Sequence, residues 1–180
     1  MIYRMSVDKL EAIKSRLCKV EQEAWATVCV ILRWDDEELE TLVVKRAVVE
    51  GDPWSGDMAF PGGKKSPDDK TIRDTVRREA MEETGIDLTK AVFLGYFPNL
   101  LTSIRVGSTV LPQVYLYSGR PEIKLNRELT RYYWVHLSEL DAHRCTAIVK
   151  GRETKAFDLG EDQIWGLTYK MLDMLIEMSD

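Results

Sequence analysis

The chain has 180 residues, of which 44% are hydrophobic and 31% are charged, as is typical of one soluble domain with a sizeable core. Its formal net charge of −5 argues against a general nucleic-acid-binding protein, because binding to phosphate backbones requires a basic face. No apolar run has membrane-spanning length and the three cysteines match no disulfide or zinc spacing, so we expect one cytoplasmic domain over residues 1–180 without membrane partners.

The N-terminal part of the chain predicts a helix followed by a β-hairpin. Apolar residues at positions 7, 10, 13 and 17 recur at helical spacing and predict a short helix. Ser6, just before them, can cap its N-terminus. Residues 25–34 and 40–48 are rich in β-branched and apolar side chains and flank the acidic turn 35–37, so they predict two adjacent antiparallel strands. The Gly- and Pro-rich stretch 49–63 predicts a loop with a short strand over residues 58–60.

The rest of the chain predicts further strands between two helices. One helix is predicted from about Lys70 to Thr84, with Gly85 as its C-terminal stop. A last helix is predicted from about Glu161 to Met178. Four strands are predicted between these two helices, over residues 91–97, 110–118, 131–136 and 154–159. We therefore predict an α+β fold in which helices pack against a mixed sheet.

Three glutamates share one face of the predicted helix 70–84. Glu79, Glu82 and Glu83 stand at positions i, i+3 and i+4, which bring their carboxylates together. Crowded carboxylates repel one another unless cations lie between them, and hard oxygen ligands favour Mg²⁺ or Mn²⁺. The alternative is a solvated helix with weak surface ion pairs, and the spacing alone favours that alternative.

A glycine turn precedes this helix and a dense motif ends it. The turn Phe60-Pro61-Gly62-Gly63 allows the backbone to approach a ligand closely. The residues from Arg78 to Ile86 match every specified position in the second half of the Nudix box, so the chain resembles the Nudix hydrolase family. In the first half, Asp69 stands where Glu is usual, and eight rather than seven residues separate it from Arg78.

The resemblance implies the Nudix fold, a mixed β-sheet sandwiched between helices (α/β/α), and hydrolysis of a small nucleotide diphosphate. It implies that Glu79, Glu82, Glu83 and the backbone carbonyl of Gly62 bind Mg²⁺ or Mn²⁺. Glu79 or Glu82 is implied as the general base that accepts the proton of the attacking water. Arg78 is implied to orient a box carboxylate through a forked hydrogen bond.

Other residues near the box have alternative interpretations. Asp69 is either an outer ligand of the metal or a residue that satisfies backbone amides at the helix start. Four basic residues are candidates to contact substrate phosphates, although each alone is more often a solvated surface charge: Lys45, Arg46, Lys64 and Arg105. Three aromatic residues are candidates to stack on a base, although aromatics near strands more often belong to the core: Trp54, Tyr96 and Phe97. His136 and His143 form no ligand spacing with a carboxylate and are interpreted as structural.

The longer spacing within the box is similar to that of the coenzyme A diphosphatase branch. In that branch an Asp follows Phe-Pro-Gly-Gly-Lys and a Thr precedes Arg-Glu, and Lys64, Asp69 and Thr75 occupy these places here. The usual Leu-Arg-x-His element is absent, and residues 50–54 stand in its place. Coenzyme A, ADP-ribose and other nucleotide-sugar or dinucleotide diphosphates are therefore the candidate substrates, and a homodimer is left open.

Three other classes of protein are weighed against a hydrolase. A non-catalytic nucleotide-sensing module on the same fold would be favoured by loss of box glutamates, and all three are present. An isomerase acting on isopentenyl diphosphate requires a catalytic Cys with a metal-binding His set, a neighbourhood that Cys29 and Cys145 lack. A plain interaction protein with an acidic helix would show no tight Mn²⁺ binding.

Overall fold

In the computed structural model, which describes residues 2–102 and 107–180, helices separate and flank runs of consecutive strands, as expected for an α+β fold. The α-helices in this part of the chain are α1 (Ile2–Arg16), α2 (Ile72–Thr84) and α3 (Gly166–Ser179). The strands are β1 (Ala26–Asp35), β2 (Glu38–Arg46), β3 (Met58–Ala59), β4 (Gly62–Lys64), β5 (Ala91–Tyr96), β6 (Leu101–Thr102), β7 (Thr109–Tyr117), β8 (Leu129–His136), β9 (Arg144–Val149), β10 (Arg152–Asp158) and β11 (Gln163–Trp165). Across both described ranges, no helix has the combination of length and hydropathy that crossing a bilayer requires.

The main sheet is mixed and is built around β1. Its central order is β3-β2-β1-β7-β5, in which β1 pairs antiparallel with β2 and parallel with β7. Strand β4 pairs antiparallel with the start of β1, so that Thr27 lies opposite Gly63. Strands β9, β10 and β11 form a second, antiparallel sheet. The predicted hairpin of two strands around the acidic turn is confirmed as β1 and β2.

Alternation of side chains along β1 divides the core between the two faces of the main sheet. Val30 and Leu32 pack with residues of α1 and α3 in one cluster. Cys29 and Ile31 pack in another cluster with Val76 and Ala80 of α2. Each buried aliphatic side chain contributes roughly 1.5–3 kcal/mol to folding. The sheet therefore lies between helices on its two faces, which confirms the predicted α/β/α arrangement.

Helix α2 begins at a capping box and ends at a left-handed glycine. The side chain of Thr71 accepts a hydrogen bond from the Asp74 N–H, and the Asp74 carboxylate accepts one from the Thr71 N–H. Gly85 has a φ of 73° and its N–H donates to the Met81 carbonyl, which confirms the predicted stop. The helix begins two residues later than predicted, and Asp69 lies outside it.

Three predicted elements differ from the structure. Helix α1 begins at Ile2, so Ser6 lies within the helix and is not its N-cap. The Gly62-Gly63 turn continues as strand β4, because its backbone pairs with β1. The last helix begins at Gly166 rather than at Glu161, since residues 163–165 form β11 on β10. Trp165 therefore lies in a strand and is partly exposed.

Candidate active site

The three box glutamates lie where α2 faces β4. The Gly62 N–H donates a hydrogen bond of 2.9 Å to Oε2 of Glu83. Gly63 leaves space for Glu79, because a Cβ at Gly63 would lie 2.5 Å from Oε1 of Glu79. The side chain of Glu82 remains 56% exposed at the mouth of this cluster. The fold thus brings together the glycine pair and the acidic helix face that the sequence singles out.

Gly62 occupies a position that excludes any side chain. Its φ is 154°, and a Cβ would lie 2.2 Å from the carbonyl oxygen of Thr27 and 2.6 Å from Cα of Val28. The backbone of β4 therefore packs directly against β1, and this contact places the Gly62 N–H toward Glu83. Binding of a metal by the Gly62 carbonyl stays a prediction.

Arg78 links the two halves of the box. Its Nε and Nη2 donate to the two oxygens of Asp69 at 3.1 and 3.0 Å. Its Nη1 donates to Glu79 at 2.8 Å and to Glu82 at 3.2 Å, and Nη2 also reaches the Lys64 carbonyl at 3.3 Å. The hydrogen bonds from Arg78 lower the pKa of Asp69 to about 2. The forked hydrogen bond predicted for Arg78 is therefore made to the Asp69 carboxylate. Asp69 anchors Arg78 and does not cap α2, whose N-cap is Thr71.

Glu83 is a buried carboxylate whose charge is not balanced by a basic side chain. It is only 4% exposed, and in residues 2–102 and 107–180 no Lys or Arg forms an ion pair with it. Burial, with a smaller contribution from the negative charge of Glu79, raises the pKa of Glu83 to about 7, and the hydrogen bond from Gly62 opposes this rise. Burial also raises the pKa of Glu79, which Arg78 partly offsets.

An uncompensated buried carboxylate is costly, and a divalent cation is the partner that this cluster fits. The cluster offers only hard oxygen donors, which suit Mg²⁺ or Mn²⁺. Glu79, Glu82 and Glu83 lie about one helical turn apart on one face, although within the described residues their carboxylate oxygens do not all lie within 4.8 Å of one another. The chemistry of the donor set and its missing positive charge both match the predicted cofactor.

Two charged residues outside the box act on these carboxylates. The negative charge of Glu128, just before β8, raises the pKa of both Glu79 and Glu83. The positive charge of Arg46 lowers the pKa of Glu83. Glu128 lies near these carboxylates because Asn126, two residues earlier in the chain, is attached to the end of α2. The N–H of Asn126 donates a hydrogen bond of 3.1 Å to the Glu83 carbonyl. Glu128 was not predicted from the sequence, since no spacing connects that acid to the box.

The predicted phosphate-binding residues lie in different places. Arg46 follows Val44 by two residues on the α2 face of β2, where its guanidinium also pairs with Asp52 at 2.8 Å. Lys45 points to the opposite face and pairs with the buried Asp162 at 2.8 Å. Lys64 lies in β4, directly after the glycine pair. Arg105 lies outside the described residues.

The predicted base-stacking residues are also separated by the fold. Tyr96 and Phe97 are 3% and 0% exposed and belong to the core. Trp54 is partly exposed in the loop between β2 and β3. Of the three aromatic candidates, Trp54 is therefore the one that a ligand can reach.

A second group of potential metal ligands lies at the other end of β1. Oxygens of Asp35 and Glu40 and a nitrogen of His136 lie within 4.8 Å of one another. Arg33 is 3% exposed, forms an ion pair with Glu40 and approaches Asp35 at 3.5 Å. Its guanidinium also lies 4.7 Å from the ring centroid of Trp134. Arg33 already supplies positive charge here, so we interpret this group as a structural ion-pair cluster.

A buried polar network fixes α2 relative to the sheet. Nε2 of Gln113 donates to Oγ1 of Thr27 and to the Ile72 carbonyl, both at 2.9 Å. The Tyr115 hydroxyl donates to Oε1 of Gln113 at 3.0 Å. Thr27 lies opposite Gly63 in the β1–β4 pair. The network therefore joins the first turn of α2 to β1, which pairs with β4, the strand that contacts the glutamates.

Comparison with known families agrees with this fold and site. A family model described as NUDIX domain matches residues 24–155, which include the glycine pair, the box helix and Glu128. The chain therefore belongs to the Nudix family. The predicted resemblance to the Nudix hydrolase family is confirmed.

Among curated proteins, the chain resembles relatives from a mammal, a bacterium and a yeast. It is 28% identical to the mitochondrial coenzyme A diphosphatase NUDT8 of Mus musculus, over 68% of this chain and 62% of that protein. It is 31% identical to the uncharacterized Nudix hydrolase NudL of Photorhabdus laumondii, over 76% of each chain. An uncharacterized Schizosaccharomyces pombe protein is 31% identical over 64% of this chain, which spans only 37% of that protein. The chain thus spans less than two thirds of the length of the mouse and yeast proteins. The predicted similarity to the coenzyme A diphosphatase branch is confirmed by the mouse and bacterial relatives.

Solved structures show the same fold at lower identity. The NUDIX domain of Shewanella oneidensis NrtR, complexed with ADP ribose, superposes with a TM-score of 0.55 at 16% identity, covering 89% of this chain and 88% of that one. A C. elegans Ap4A hydrolase binary complex gives a TM-score of 0.54 at 17% identity, covering 65% and 82%. These identities support the fold alone.

Proposed function

We propose that the chain hydrolyses the phosphoanhydride bond of a nucleoside diphosphate linked to another moiety, in a reaction that depends on Mg²⁺ or Mn²⁺. The observation that carries this proposal is the buried carboxylate of Glu83, which Gly62 holds beside Glu79 without a basic partner. A bound divalent ion neutralises phosphate charge and makes a coordinated water more acidic. The site supplies oxygen ligands for such an ion and leaves one side open at the exposed Glu82.

Each residue of the cluster has a proposed role. Glu79, Glu82 and Glu83 hold the cation, with the Gly62 carbonyl as a further ligand. Glu79 or Glu82 accepts the proton of the attacking water, and both accept hydrogen bonds from Arg78. Arg78 keeps these two carboxylates oriented. Asp69 anchors Arg78, so its loss would loosen both candidate bases.

Glu128, Arg46 and Lys64 complete the proposed charge pattern around the substrate. Glu128 adds negative charge beside Glu79 and Glu83 and strengthens their need for a cation. The charge of Arg46 acts on Glu83 and the backbone of Lys64 contacts Arg78, and these observations support their proposed role as contacts of phosphate oxygens. Lys45 is engaged by Asp162 on the other face of the sheet, which makes it the weaker of the proposed phosphate ligands.

Coenzyme A or a derivative is the first proposed substrate. The box spacing, Lys64 and Thr75 support it, as does the mouse relative named as a coenzyme A diphosphatase. ADP-ribose or another nucleotide-sugar or dinucleotide diphosphate is the second candidate, supported by residues 50–54 in place of the usual Leu-Arg-x-His element. Retention of the clustered glutamates argues against a purely nucleotide-sensing module. The three free cysteines support the proposed cytoplasmic location.

A substrate screen tests the proposed reaction. The full chain is incubated with coenzyme A, ADP-ribose, NADH, dinucleoside polyphosphates and nucleoside triphosphates, each with Mg²⁺, with Mn²⁺ or with a chelator. We expect hydrolysis only with metal, and in ¹⁸O water the label should appear on a phosphate of one product. Coenzyme A should yield 3′,5′-ADP and 4′-phosphopantetheine. Release of free adenine or of a dephosphorylated nucleoside would contradict this class of reaction.

A further inference from the structure

Two tryptophans form a partly exposed aromatic pair beside β4. Trp25 immediately precedes β1 and is 41% exposed. Trp54 lies in the loop between β2 and β3, and its ring centroid is 6.5 Å from that of Trp25, with 40° between the ring planes. Indole rings carry large apolar faces that most proteins keep covered. The pair therefore leaves stacking surface open to a ligand.

Strand β4 leads from the carboxylates to this aromatic pair. Gly62 contacts Glu83, and the next residue, Gly63, makes room for Glu79. The Lys64 ammonium then lies 4.1 Å from the centroid of the Trp25 ring. Strand geometry places Lys64 about 7 Å from Gly62. That separation is shorter than a nucleoside diphosphate, so one such molecule can reach both the carboxylates and the tryptophans.

The loop that carries Trp54 is held on two sides. Asp52 accepts hydrogen bonds from the Trp54 N–H at 3.0 Å and from Arg46 at 2.8 Å. Lys150 donates to the Pro53 carbonyl at 3.3 Å and to the Asp57 carboxylate at 3.1 Å. Trp54 is therefore presented by an ordered loop, and stacking on it costs little additional ordering of the chain.

We propose that Trp25 and Trp54 form the base subsite of this active site, where the nucleobase of the substrate stacks on their indole rings. The inference rests on the proposed function. A base held between two rings needs two contact distances of about 3.5 Å each, close to the observed centroid separation, so a small rotation of one indole admits it. The Lys64 ammonium lies over the Trp25 ring, and the flexible lysine side chain lets that ammonium reach the phosphates of the bound nucleotide.

Two ligands that differ by a nucleoside test the subsite. Calorimetry in Mg²⁺ compares α,β-methylene-ADP, whose bridge resists hydrolysis, with methylenediphosphonate, which has the same bridge and no base. Trp25→Ala and Trp54→Ala should each weaken binding of the ADP analogue about 5- to 100-fold, as expected for loss of one stacking contact, and leave methylenediphosphonate binding unchanged. The Trp→Phe variants should keep most of the affinity, because they retain an aromatic face.

Two further variants separate stacking from charge and from general surface effects. Lys64→Gln should weaken both ligands, because both carry the phosphonate charge. Val92→Ala, which shortens an exposed apolar side chain on β5, should change neither affinity.

Wild-type affinity of both Trp→Ala variants for the ADP analogue would overturn the subsite. Equal losses for the two ligands would also overturn it, because the tryptophans would then support the shape of the site rather than the base. Failure of the proposed function is a different result. In that case the wild-type chain hydrolyses none of the screened diphosphates, whereas failure of the subsite alone leaves metal-dependent hydrolysis intact.

Discussion

The acidic clusters at the two ends of β1 differ in how their charge is balanced. Glu40, at the hairpin end, is 2% exposed, and Glu83, at the β4 end, is 4% exposed. Arg33 pairs with Glu40, whereas Arg78 reaches the neighbours of Glu83 but not Glu83 itself. Strand geometry separates the clusters by about 20 Å. Crowded acids alone therefore do not identify a metal site, and the informative feature is a buried carboxylate that lacks a basic partner.

The two clusters should respond to perturbation in opposite ways. Burial raises the pKa of Glu40 and of Glu83, but at Glu40 the charge of Arg33 is the largest opposing effect. The hairpin cluster is thus complete within the chain, and breaking it leaves an unpaired buried charge. The box cluster is incomplete within the chain, so binding of a cation should stabilise the folded protein.

The largest expected effect is on stability, at the hairpin cluster. Arg33→Met leaves Glu40 buried without its cation and should lower the free energy of unfolding by about 3–5 kcal/mol. Urea unfolding measures this loss. The double variant Arg33→Met/Glu40→Leu should recover most of it, because no buried charge remains unpaired. A loss below about 1 kcal/mol in the single variant, the range of exposed pairs, would show that the pair is not structural.

At the box cluster we expect loss of catalysis with the fold retained. Glu82→Gln and Glu83→Gln should each lower kcat by roughly 100-fold or more, because each removes charge from a metal-assisted step. Glu83→Gln should also weaken Mn²⁺ binding and raise the Tm of the metal-free protein, since it removes an unpaired buried charge. Glu40→Gln is the matched control and should leave Mn²⁺ affinity and kcat unchanged. Wild-type rates for both box variants in saturating Mg²⁺ would rule out this site.

A smaller effect is expected from the two glycines of the site. In Gly63→Ala the new methyl group displaces the Glu79 carboxylate, so kcat should fall about 10-fold while the Tm stays near that of the wild type. In Gly62→Ala the methyl group meets the rigid backbone of Thr27, so the Tm should fall clearly. Kinetics and thermal unfolding of the two variants check this contrast. Equal losses of Tm in the two variants would mean that the Glu79 carboxylate does not move aside for the methyl group added at position 63.

Much of the fold follows from local patterns. The hairpin of β1 and β2 and the stop of α2 at Gly85 were predictable, because β-branched runs around an acidic turn and a glycine after a helix act over a few neighbouring residues. The start of α3 was predicted too early, because pairing of β11 with β10 overrides the helical pattern around Ile164. Strand β4 was missed for the same reason, since its extended backbone depends on contact with β1.

That Glu79, Glu82 and Glu83 share a helix face after a glycine pair follows from the sequence, because helical periodicity is a local property. The charged residues that approach these glutamates depend instead on long-range packing. It brings Glu128 to the box, directs Arg46 and Lys45 to opposite faces of the sheet, and pairs Trp25 with Trp54. These contacts join residues far apart in the chain, and the packing of strands and loops sets them, so no local periodicity encodes them.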